Sequence, residues 1–310
     1  MYSNNLKDLN NYPNLKKIYN EIILLNKFQE KRINFIFKKA NEEYFQFCEE
    51  IAKLVIAITK KWNQDFNFIS KSYNHLCTST IKEQLYFKKY GEYSAIKNRR
   101  NTLEIYSSDK KMKILLIGLL MSQIFWKNHY KIIKWFENKI KNIICEQFIE
   151  IGAGHGYFTK LFLKYNNPSR TVICDISKTS LEMTKSIISE TSNISNITFI
   201  NKNFLELDVN NKYDFLIMGE VLEHVYDPVK FIKCARDYIN SNGKIFISTC
   251  ANCAQEDHLY RFNNINEIKN MILANNLIIE DDLICSSEDI DKDSWEKEKI
   301  AVNYCAILKK

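Results

Sequence analysis

The sequence predicts an α/β protein in which an all-helical region precedes a mostly parallel β-sheet. Two observations indicate this fold class. Up to Ile143, apolar residues recur at spacings of three and four, with no strand alternation between them. From Ile144 onward, short apolar runs alternate with amphipathic segments, a pattern typical of βαβ units. We therefore expect two domains, a helical one over residues 1–143 and an α/β one over residues 144–310.

The helices of the first region are predicted from their apolar stripes. Residues 15–25 and 45–58 each form one stripe, and residues 112–126 are apolar nearly all round, which indicates a buried helix. Residues 91–113 are polar and charged, and we expect a loop or a weak helix there. Residues 126–130, rich in aromatic side chains, either reach a ligand pocket or belong to the core.

Seven short apolar runs in the second region are predicted strands. Amphipathic stripes over residues 158–165 and 181–188 predict two of the helices between them. Asp227 followed by Pro228 predicts the N-cap and first position of another helix. The seven runs span residues 148–151, 171–174, 197–200, 215–218, 244–248, 277–283 and 301–308.

Composition argues against several classes of protein. Seven glycines and three prolines in 310 residues are too few for collagen or a disordered linker. Residues 1–10 are polar and show no signal peptide, and the longest apolar stretch, residues 114–126, is too short to cross a bilayer. Nine scattered cysteines do not have the spacing of a disulfide scaffold. We expect a cytoplasmic protein with reduced thiols and no membrane partner.

The net charge of +7 conceals an asymmetry between the two halves of the chain. Residues 1–146 contain 26 Lys and Arg against 14 Asp and Glu, a net charge of +12, whereas the remainder has a net charge of −5. A basic half can attract nucleic acid, an anionic membrane or an acidic substrate. The alternative is that these lysines only solvate the outer faces of helices.

A glycine-rich turn after the first predicted strand is the most informative motif. The strand ends near Glu150, and Gly152, Gly154 and Gly156 follow before a helix. Glycines let the backbone approach a ligand closely, and the helix N-terminus offers unpaired N–H groups. The spacing differs from the dinucleotide-binding motif, which would require a glycine at Tyr157.

A second acid follows the second predicted strand. Asp175 lies at the carboxyl end of that run, where it can accept hydrogen bonds from both hydroxyls of a ribose. This position favours a nucleoside ligand. For Asp175 taken alone, a role as a helix N-cap or turn residue is the alternative.

These motifs together resemble those of the class I S-adenosylmethionine-dependent methyltransferases. The matching residues are 150–156, Asp175 and 219–224. Over residues 144–310, the resemblance implies a Rossmann-like sheet of seven strands with the last one antiparallel, and S-adenosylmethionine as the cofactor. It also implies that Glu150 and the three glycines pack against the methionine part, that Asp175 holds the ribose, and that the segment containing Glu220 flanks the adenine.

One position departs from the commoner pattern of that family. Family members often place an acid just after the third strand, where it binds the adenine amino group, and this chain has Asn203 there. The carbonyl oxygen of an Asn side chain can still accept a hydrogen bond. We expect Asn203 to contact the adenine, with apolar contact from Phe204 as the alternative.

Missing motifs disfavour two nucleic-acid chemistries. The fourth predicted strand ends in Met218-Gly219-Glu220, not in the Asn/Asp-Pro-Pro-aromatic element of enzymes that methylate amino groups of bases. No cysteine follows a proline, so the nucleophile of cytosine-C5 methylation is missing as well.

The loop after the fifth predicted strand is expected to face the acceptor of the methyl group. It contains His258, which can take a proton or orient the acceptor, and Asp257, which can orient His258. His224 is the second candidate. Cys250 and Cys253 with His258 form a partial metal site or a thiol pair, but structural zinc takes four ligands and we expect no metal.

We therefore expect S-adenosylmethionine-dependent methyl transfer to an oxygen or nitrogen of a small-molecule acceptor, in specialised metabolism. The acceptor would lie between residues 250–260 and the helical region, which covers the pocket or forms a homodimer. Two alternatives stay open. One is an RNA or peptide methyltransferase that uses the basic half, and the other is a non-catalytic protein that only binds the cofactor.

Overall fold

The chain is described in the computed structural model over residues 8–189, 195–208 and 210–310. Residues 1–7, part of the stretch that predicts the absence of a signal peptide, lie outside these ranges. The predicted stripes over residues 15–25, 45–58 and 112–126 are confirmed as helices over Pro13–Leu25, Glu42–Lys61 and Asp109–Phe125. Before the first strand, the described residues form α1 (Pro13–Leu25), α2 (Phe28–Lys39), α3 (Glu42–Lys61), α4 (Asn67–Tyr90), α5 (Ser94–Lys97), α6 (Arg99–Ser107), α7 (Asp109–Phe125) and α8 (Lys127–Ile140).

Residues 91–113, predicted as a loop or a weak helix, contain α5, α6 and the start of α7. Gly91 ends α4 with a left-handed φ of 79°, which glycine adopts without strain. Ser108 begins α7, because its Oγ accepts a hydrogen bond from the N–H of Lys111 at 3.3 Å. Ser108, one of the polar residues of this segment, is therefore the N-cap of α7.

All seven predicted strands are confirmed, and they form one sheet in the order β3-β2-β1-β4-β5-β7-β6. The strand β7 is antiparallel to both of its neighbours, and the other strand pairs are parallel. The elements are β1 (Gln147–Ile151), α9 (Tyr157–Tyr165), β2 (Arg170–Asp175), α10 (Lys178–Ser189), β3 (Ile197–Asn201), β4 (Tyr213–Gly219), α11 (Pro228–Tyr238), β5 (Ile239–Ala251), α12 (Ile265–Ala274), β6 (Ile278–Ser286) and β7 (Val302–Lys309).

Local sequence signals explain where the helices of this region begin. The Asp227 side chain accepts a hydrogen bond from the N–H of Lys230 at 3.0 Å, and Pro228 occupies the first helical position, as predicted. Residues 148–151 of the central strand β1 are all buried because both faces of the sheet are covered.

Apolar cores cover both faces of the sheet. On one face, a core continues from the helical region onto α9, α10 and the sheet, and Phe136 of α8 lies 4.5 Å from Phe246 of β5 between ring centroids. On the other face, α11 and α12 pack with Ile232 and Ile268 buried. Because the first core joins the two halves, the boundary between residues 143 and 144 stays a prediction. In the described part of the chain, no helix is both long and apolar enough to span a membrane.

Helices of the N-terminal region also reach the loop that follows β5, at the carboxyl edge of the sheet. The Thr80 hydroxyl of α4 donates a hydrogen bond to Gln255 at 3.0 Å. The Gln84 side chain donates a hydrogen bond to the carbonyl oxygen of Asn252 and accepts one from the N–H of Ala254. These contacts place the helical region above the edge at which parallel sheets bind ligands.

Candidate active site

A cavity of about 690 Å³ lies between the helical region and the carboxyl ends of the strands, within the size range of small-molecule sites. Its wall on the helical side is largely apolar and includes Ile36, Leu76, Leu115 and Leu119. Most of the predicted site residues line the cavity. These are Gly152, Gly154, Asp175, Asn203, Phe204, Glu220, His224, Asp257 and His258.

The glycine-rich turn has a backbone conformation that favours glycine. The angle φ is +67° at Gly152, +53° at Gly154 and +73° at Gly156. A Cβ atom at Gly156 would lie 2.7 Å from the Cα of Thr184, so this glycine allows α9 to pack against α10. A Cβ at Gly154 would lie 4.0 Å from its nearest neighbours, the carbonyl oxygen of Gly152 and a methyl carbon of Leu116, so the missing side chain leaves space in the cavity.

The Asp175 carboxylate holds the turn in place while it lines the cavity. Its Oδ2 accepts a hydrogen bond from the N–H of Gly154 at 3.1 Å, and its Oδ1 accepts one from the N–H of Ser177 at 2.7 Å. Burial raises the pKa of Asp175 to about 6. Each carboxylate oxygen retains a second lone pair, with which it can accept a hydrogen bond from a ligand.

Two predicted cofactor residues, Glu150 and Gly156, do not line the cavity. Glu150 is buried at the end of β1, and its Oε2 has no hydrogen-bond partner among the described residues. Burial and, to a smaller extent, the charge of Asp175 raise the pKa of Glu150 well above its usual range. Gly156 faces α10 instead. Gly156 therefore affects the packing of the turn from outside the cavity.

Asn203 and Phe204 lie together after β3. The Asn203 side-chain oxygen accepts a hydrogen bond from the N–H of Leu205 at 3.0 Å and caps a short 3₁₀ turn. Phe204 is buried, with its ring 5.6 Å from that of Phe231 between centroids. Phe204 therefore gives the cavity an apolar surface, while Asn203 has one lone pair of its side-chain oxygen engaged in capping.

The turn after β4 brings two acids together. Glu220 has a φ of 54°, and its Oε2 lies 3.4 Å from the Asn303 side-chain nitrogen. Glu223 is buried and accepts a hydrogen bond from the Thr249 hydroxyl at 2.7 Å. Burial, and then the charge of Glu220, raise the pKa of Glu223 well above its usual range.

Asp257 contacts His224 and not, as expected from the sequence, His258. The Asp257 carboxylate lies 3.3 Å from Nδ1 of His224, and its backbone oxygen lies 3.1 Å from the same atom. The Tyr106 hydroxyl of α6 lies 3.0 Å from this Nδ1 and donates a hydrogen bond to Asp257 Oδ2 at 3.1 Å. Since a carbonyl oxygen only accepts, Nδ1 carries the proton and Nε2 of His224 is the acceptor.

His258 is oriented by the backbone. Its Nδ1 lies 2.7 Å from the carbonyl oxygen of Cys253, which therefore accepts the Nδ1 proton. Burial, followed by the neighbouring His224, lowers the pKa of His258 to about 4. The two imidazole rings lie 4.7 Å apart between centroids and are perpendicular. His258 is therefore neutral at pH 7, with Nε2 as its acceptor.

The sequence did not reveal Tyr106. It lies in the polar stretch predicted as a loop or a weak helix, and it meets Asp257 only because α6 lies over the sheet edge. The one signal for Tyr106 in the sequence was that it is an aromatic residue within a charged segment. Residues 126–130 were expected either to reach a ligand pocket or to belong to the core. Trp126 and His129 of this segment line the cavity, and burial lowers the pKa of His129 to about 3.

Several side chains near the cavity have the chemistry of metal ligands. Donor atoms of Cys250, Cys253 and His258 lie within 4.8 Å of one another, and so do those of Glu223, His224 and His258. His258 Nδ1 would have to leave the Cys253 carbonyl to bind an ion through that atom. The expectation of no metal stays a prediction.

Comparison with known proteins identifies the class to which this fold and site belong. Residues 145–300 match the family described as "Methyltransferase domain", and this is half of the chain. The N-methyltransferase NodS of Bradyrhizobium japonicum, solved with S-adenosyl-L-homocysteine, has a TM-score of 0.51 and 12% identity, with 68% of this chain and 100% of NodS covered. An S-adenosylmethionine-dependent methyltransferase of Leishmania major has a TM-score of 0.49 and 18% identity, with 67% of this chain and 82% of the Leishmania chain covered. No curated protein sequence matches the chain.

The chain therefore belongs to the methyltransferase-domain family, and it is an S-adenosylmethionine-dependent methyltransferase with the class I sheet. The residues present fit this cofactor: the positive-φ turn leaves open space at Gly154, and the buried Asp175 carboxylate lines the same cavity. At such low identities, the solved structures support the fold alone.

Proposed function

We propose that the protein transfers a methyl group to an oxygen or nitrogen of a small-molecule acceptor that is enclosed beneath the helical region. The observation that carries this proposal is the contact of Tyr106, from α6, with Asp257 and His224 at the sheet edge. Because the helical region contributes both this polar contact and an apolar wall, the space beyond the cofactor is bounded on two sides. A bounded cavity favours a small acceptor over a polymer.

Cofactor binding is assigned to the residues that line the cavity at the ends of β1, β2, β3 and β4. Gly152 and Gly154 would contact the methionine part, and Asp175 would accept hydrogen bonds from the ribose hydroxyls. Phe204 would pack on the adenine, beside Asn203, and Glu220 would flank it. Glu150 and Gly156 would act on the turn and not on the cofactor.

The cofactor supplies a methyl group on a sulfonium, which is already activated for transfer. The protein has to align the acceptor with this methyl group, exclude water and, for a protonated acceptor, remove a proton. We assign the proton acceptor to His224 Nε2, because Asp257 and Tyr106 fix its tautomer and ring position. His258, whose low pKa makes it a weak base, would orient the acceptor through a hydrogen bond.

A labelling experiment tests the proposal. A cell extract is divided by ultrafiltration into low-molecular-weight and macromolecular fractions, and each fraction is incubated with the protein and methyl-labelled S-adenosylmethionine. We expect label in the low-molecular-weight fraction, with Asp175→Asn, which should bind the cofactor weakly, as the control. Label confined to RNA or protein would contradict the small-molecule assignment.

The RNA alternative makes a different prediction for salt. Contacts between lysines and phosphates release counterions, so that affinity falls steeply as ionic strength rises. We expect weak binding of total RNA by the wild-type protein at low salt and no labelled RNA product. Tight binding with a steep salt dependence, together with labelled RNA, would favour the alternative.

A further inference from the structure

The outward side of α2 carries exposed aromatic residues among basic ones. Phe28 is 93% exposed and Phe35 is 56% exposed, and Arg32 and Lys39 share their stripe at helical spacings of four, three and four. The opposite side of α2 is packed into the core through Ile33 and Phe37. The two exposed phenylalanines are therefore not needed to hold α2 on the protein.

The end of α1 extends this surface. Leu24 and Leu25 are 80% and 46% exposed, and they directly precede α2 in the chain. We define the α2 face as the exposed side chains of Leu24, Leu25, Phe28 and Phe35 with the basic side chains of the same segment. Scattered exposed apolar residues are ordinary, whereas four within twelve positions form a patch that suggests a binding partner.

The charge of the α2 face indicates the chemistry of that partner. Residues 24–39 contain five basic side chains and a single acid, Glu30. Basic residues at an anionic lipid surface each raise the partition coefficient about fivefold, and Phe and Leu side chains insert at the boundary between head groups and acyl chains. A polyanion such as RNA would use the basic residues but would gain little from exposed Leu24 and Leu25.

The α2 face adjoins the opening of the cavity. Arg32, Phe35 and Ile36 of α2 line the cavity, and Phe35 is also exposed to solvent. Ile81 of α4 has the same two properties, with 60% of its surface exposed. Because these side chains face both the cavity and the solvent, they border an opening, to whose exposed lining Lys127 and Glu288 add charged side chains.

We propose that the α2 face docks on an anionic phospholipid surface, from which an amphipathic acceptor enters the cavity past Phe35. The acceptor would present its oxygen or nitrogen to the polar groups after β4 and β5 and would place its apolar part against the wall formed by α4 and α7. The acceptor's identity rests on the proposed function, whereas docking does not require methyl transfer. The proposal differs from the expectation of no membrane partner, although no helix among the described residues is long and apolar enough to span a membrane.

Vesicle co-sedimentation tests the docking. The protein is mixed with vesicles of phosphatidylcholine alone or of phosphatidylcholine with phosphatidylglycerol. We expect sedimentation with the anionic vesicles only, and a partition coefficient at least about tenfold lower in the double variant Leu24→Ser/Phe28→Ser, which removes two apolar side chains outside the cavity. Leu273→Ser, a 53% exposed residue of α12 on the other side of the sheet, is the matched control and should bind like the wild type.

Charge is tested separately. Lys31→Glu should lower the partition coefficient at least about fivefold, while the exposed Lys233→Glu of α11 should have little effect. Binding of S-adenosylhomocysteine, measured by calorimetry, should be unchanged in all four variants. Failure of that binding in the wild type would contradict the methyltransferase site, whereas failure of vesicle binding alone would overturn only the docking.

Three results would overturn the proposal. The first is equal sedimentation with neutral and anionic vesicles, or none with either. The second is RNA binding that Lys31→Glu abolishes and Leu24→Ser/Phe28→Ser leaves intact, without vesicle binding. The third is a wild-type protein that is a dimer in sedimentation velocity while the double variant is a monomer, since the α2 face would then contact a second copy of the chain.

Discussion

The hydroxyl of Tyr106 donates a hydrogen bond to the carboxylate of Asp257 at 3.1 Å, across 151 positions of the sequence. This contact joins the helical region to the loop after β5 at the point where His224 also lies. Burial, and then the charge of Asp257, raise the pKa of Tyr106 well above its usual range, so that its hydroxyl stays a donor. The helical region therefore contributes a polar side chain to the candidate active site and does not only cover it.

Replacing Tyr106 with Phe should lower kcat about tenfold while the affinity for the cofactor is retained. The change removes one hydroxyl and leaves a buried Asp257 oxygen without that donor, a loss of about 1–3 kcal/mol. Steady-state kinetics and calorimetry with S-adenosylhomocysteine measure the two effects. Tyr90→Phe, at an exposed position of α4, is the control. Equal kinetics of Tyr106→Phe and the wild type would show that the contact has no part in the reaction.

The two histidines should differ when each is replaced with Ala. His224→Ala should lower kcat by about 10² to 10⁴ for a hydroxyl acceptor, because it removes the proposed proton acceptor. His258→Ala should lower kcat less and raise the KM of the acceptor, as expected for a residue that orients it. Cofactor affinity should be kept in both. A larger loss of kcat in His258→Ala than in His224→Ala would assign the proton acceptor to His258, as the sequence alone suggested.

The sequence predicts the sheet well because its strands carry a local signal. All seven apolar runs became strands, and the cap at Asp227 formed as predicted, since burial on both faces and capping depend on neighbouring residues. That Gly152, Gly154 and Asp175 line the same cavity could also be predicted, because they lie in one short motif and at one strand end.

The acceptor side could not be predicted in the same way. The partner of Asp257 depends on how two loops and α6 meet, and adjacency in sequence suggested His258 where the fold places His224. The burial of Glu223 likewise follows from the loop after β5 closing over it, with Leu259 and Tyr260 donating to its backbone oxygen. Such contacts join residues far apart in the chain and leave no local pattern.

Cofactor affinity should fall as the pH drops through about 6. Burial raises the pKa of Asp175 from 3.8 to about 6, and the ribose hydroxyls need the ionised carboxylate as their acceptor. The contribution to binding is therefore complete above this pH and is lost below it. The contribution of Asp175 to fold stability has the opposite sign, because ionising this buried group is unfavourable.

Calorimetric titrations with S-adenosylhomocysteine between pH 5 and pH 8 measure this dependence, near the raised pKa. Asp175→Asn should bind weakly and should lack the pH dependence, whereas the exposed Asp293→Asn should behave as the wild type. A wild-type affinity that stays constant through pH 6 would contradict the assigned role of Asp175.

Two neighbouring glycines should give different phenotypes when each is replaced with Ala. Both have positive φ, so each substitution strains the backbone by about 1–2 kcal/mol. Gly156→Ala should lower the free energy of unfolding by about 1–3 kcal/mol more, because its Cβ would lie 2.7 Å from the Thr184 backbone. Gly154→Ala should be the more stable variant and should lose cofactor affinity, because its Cβ would occupy the cavity. Urea unfolding and calorimetry separate the two effects, and a Gly154→Ala protein that binds as tightly as the wild type would place the cofactor elsewhere.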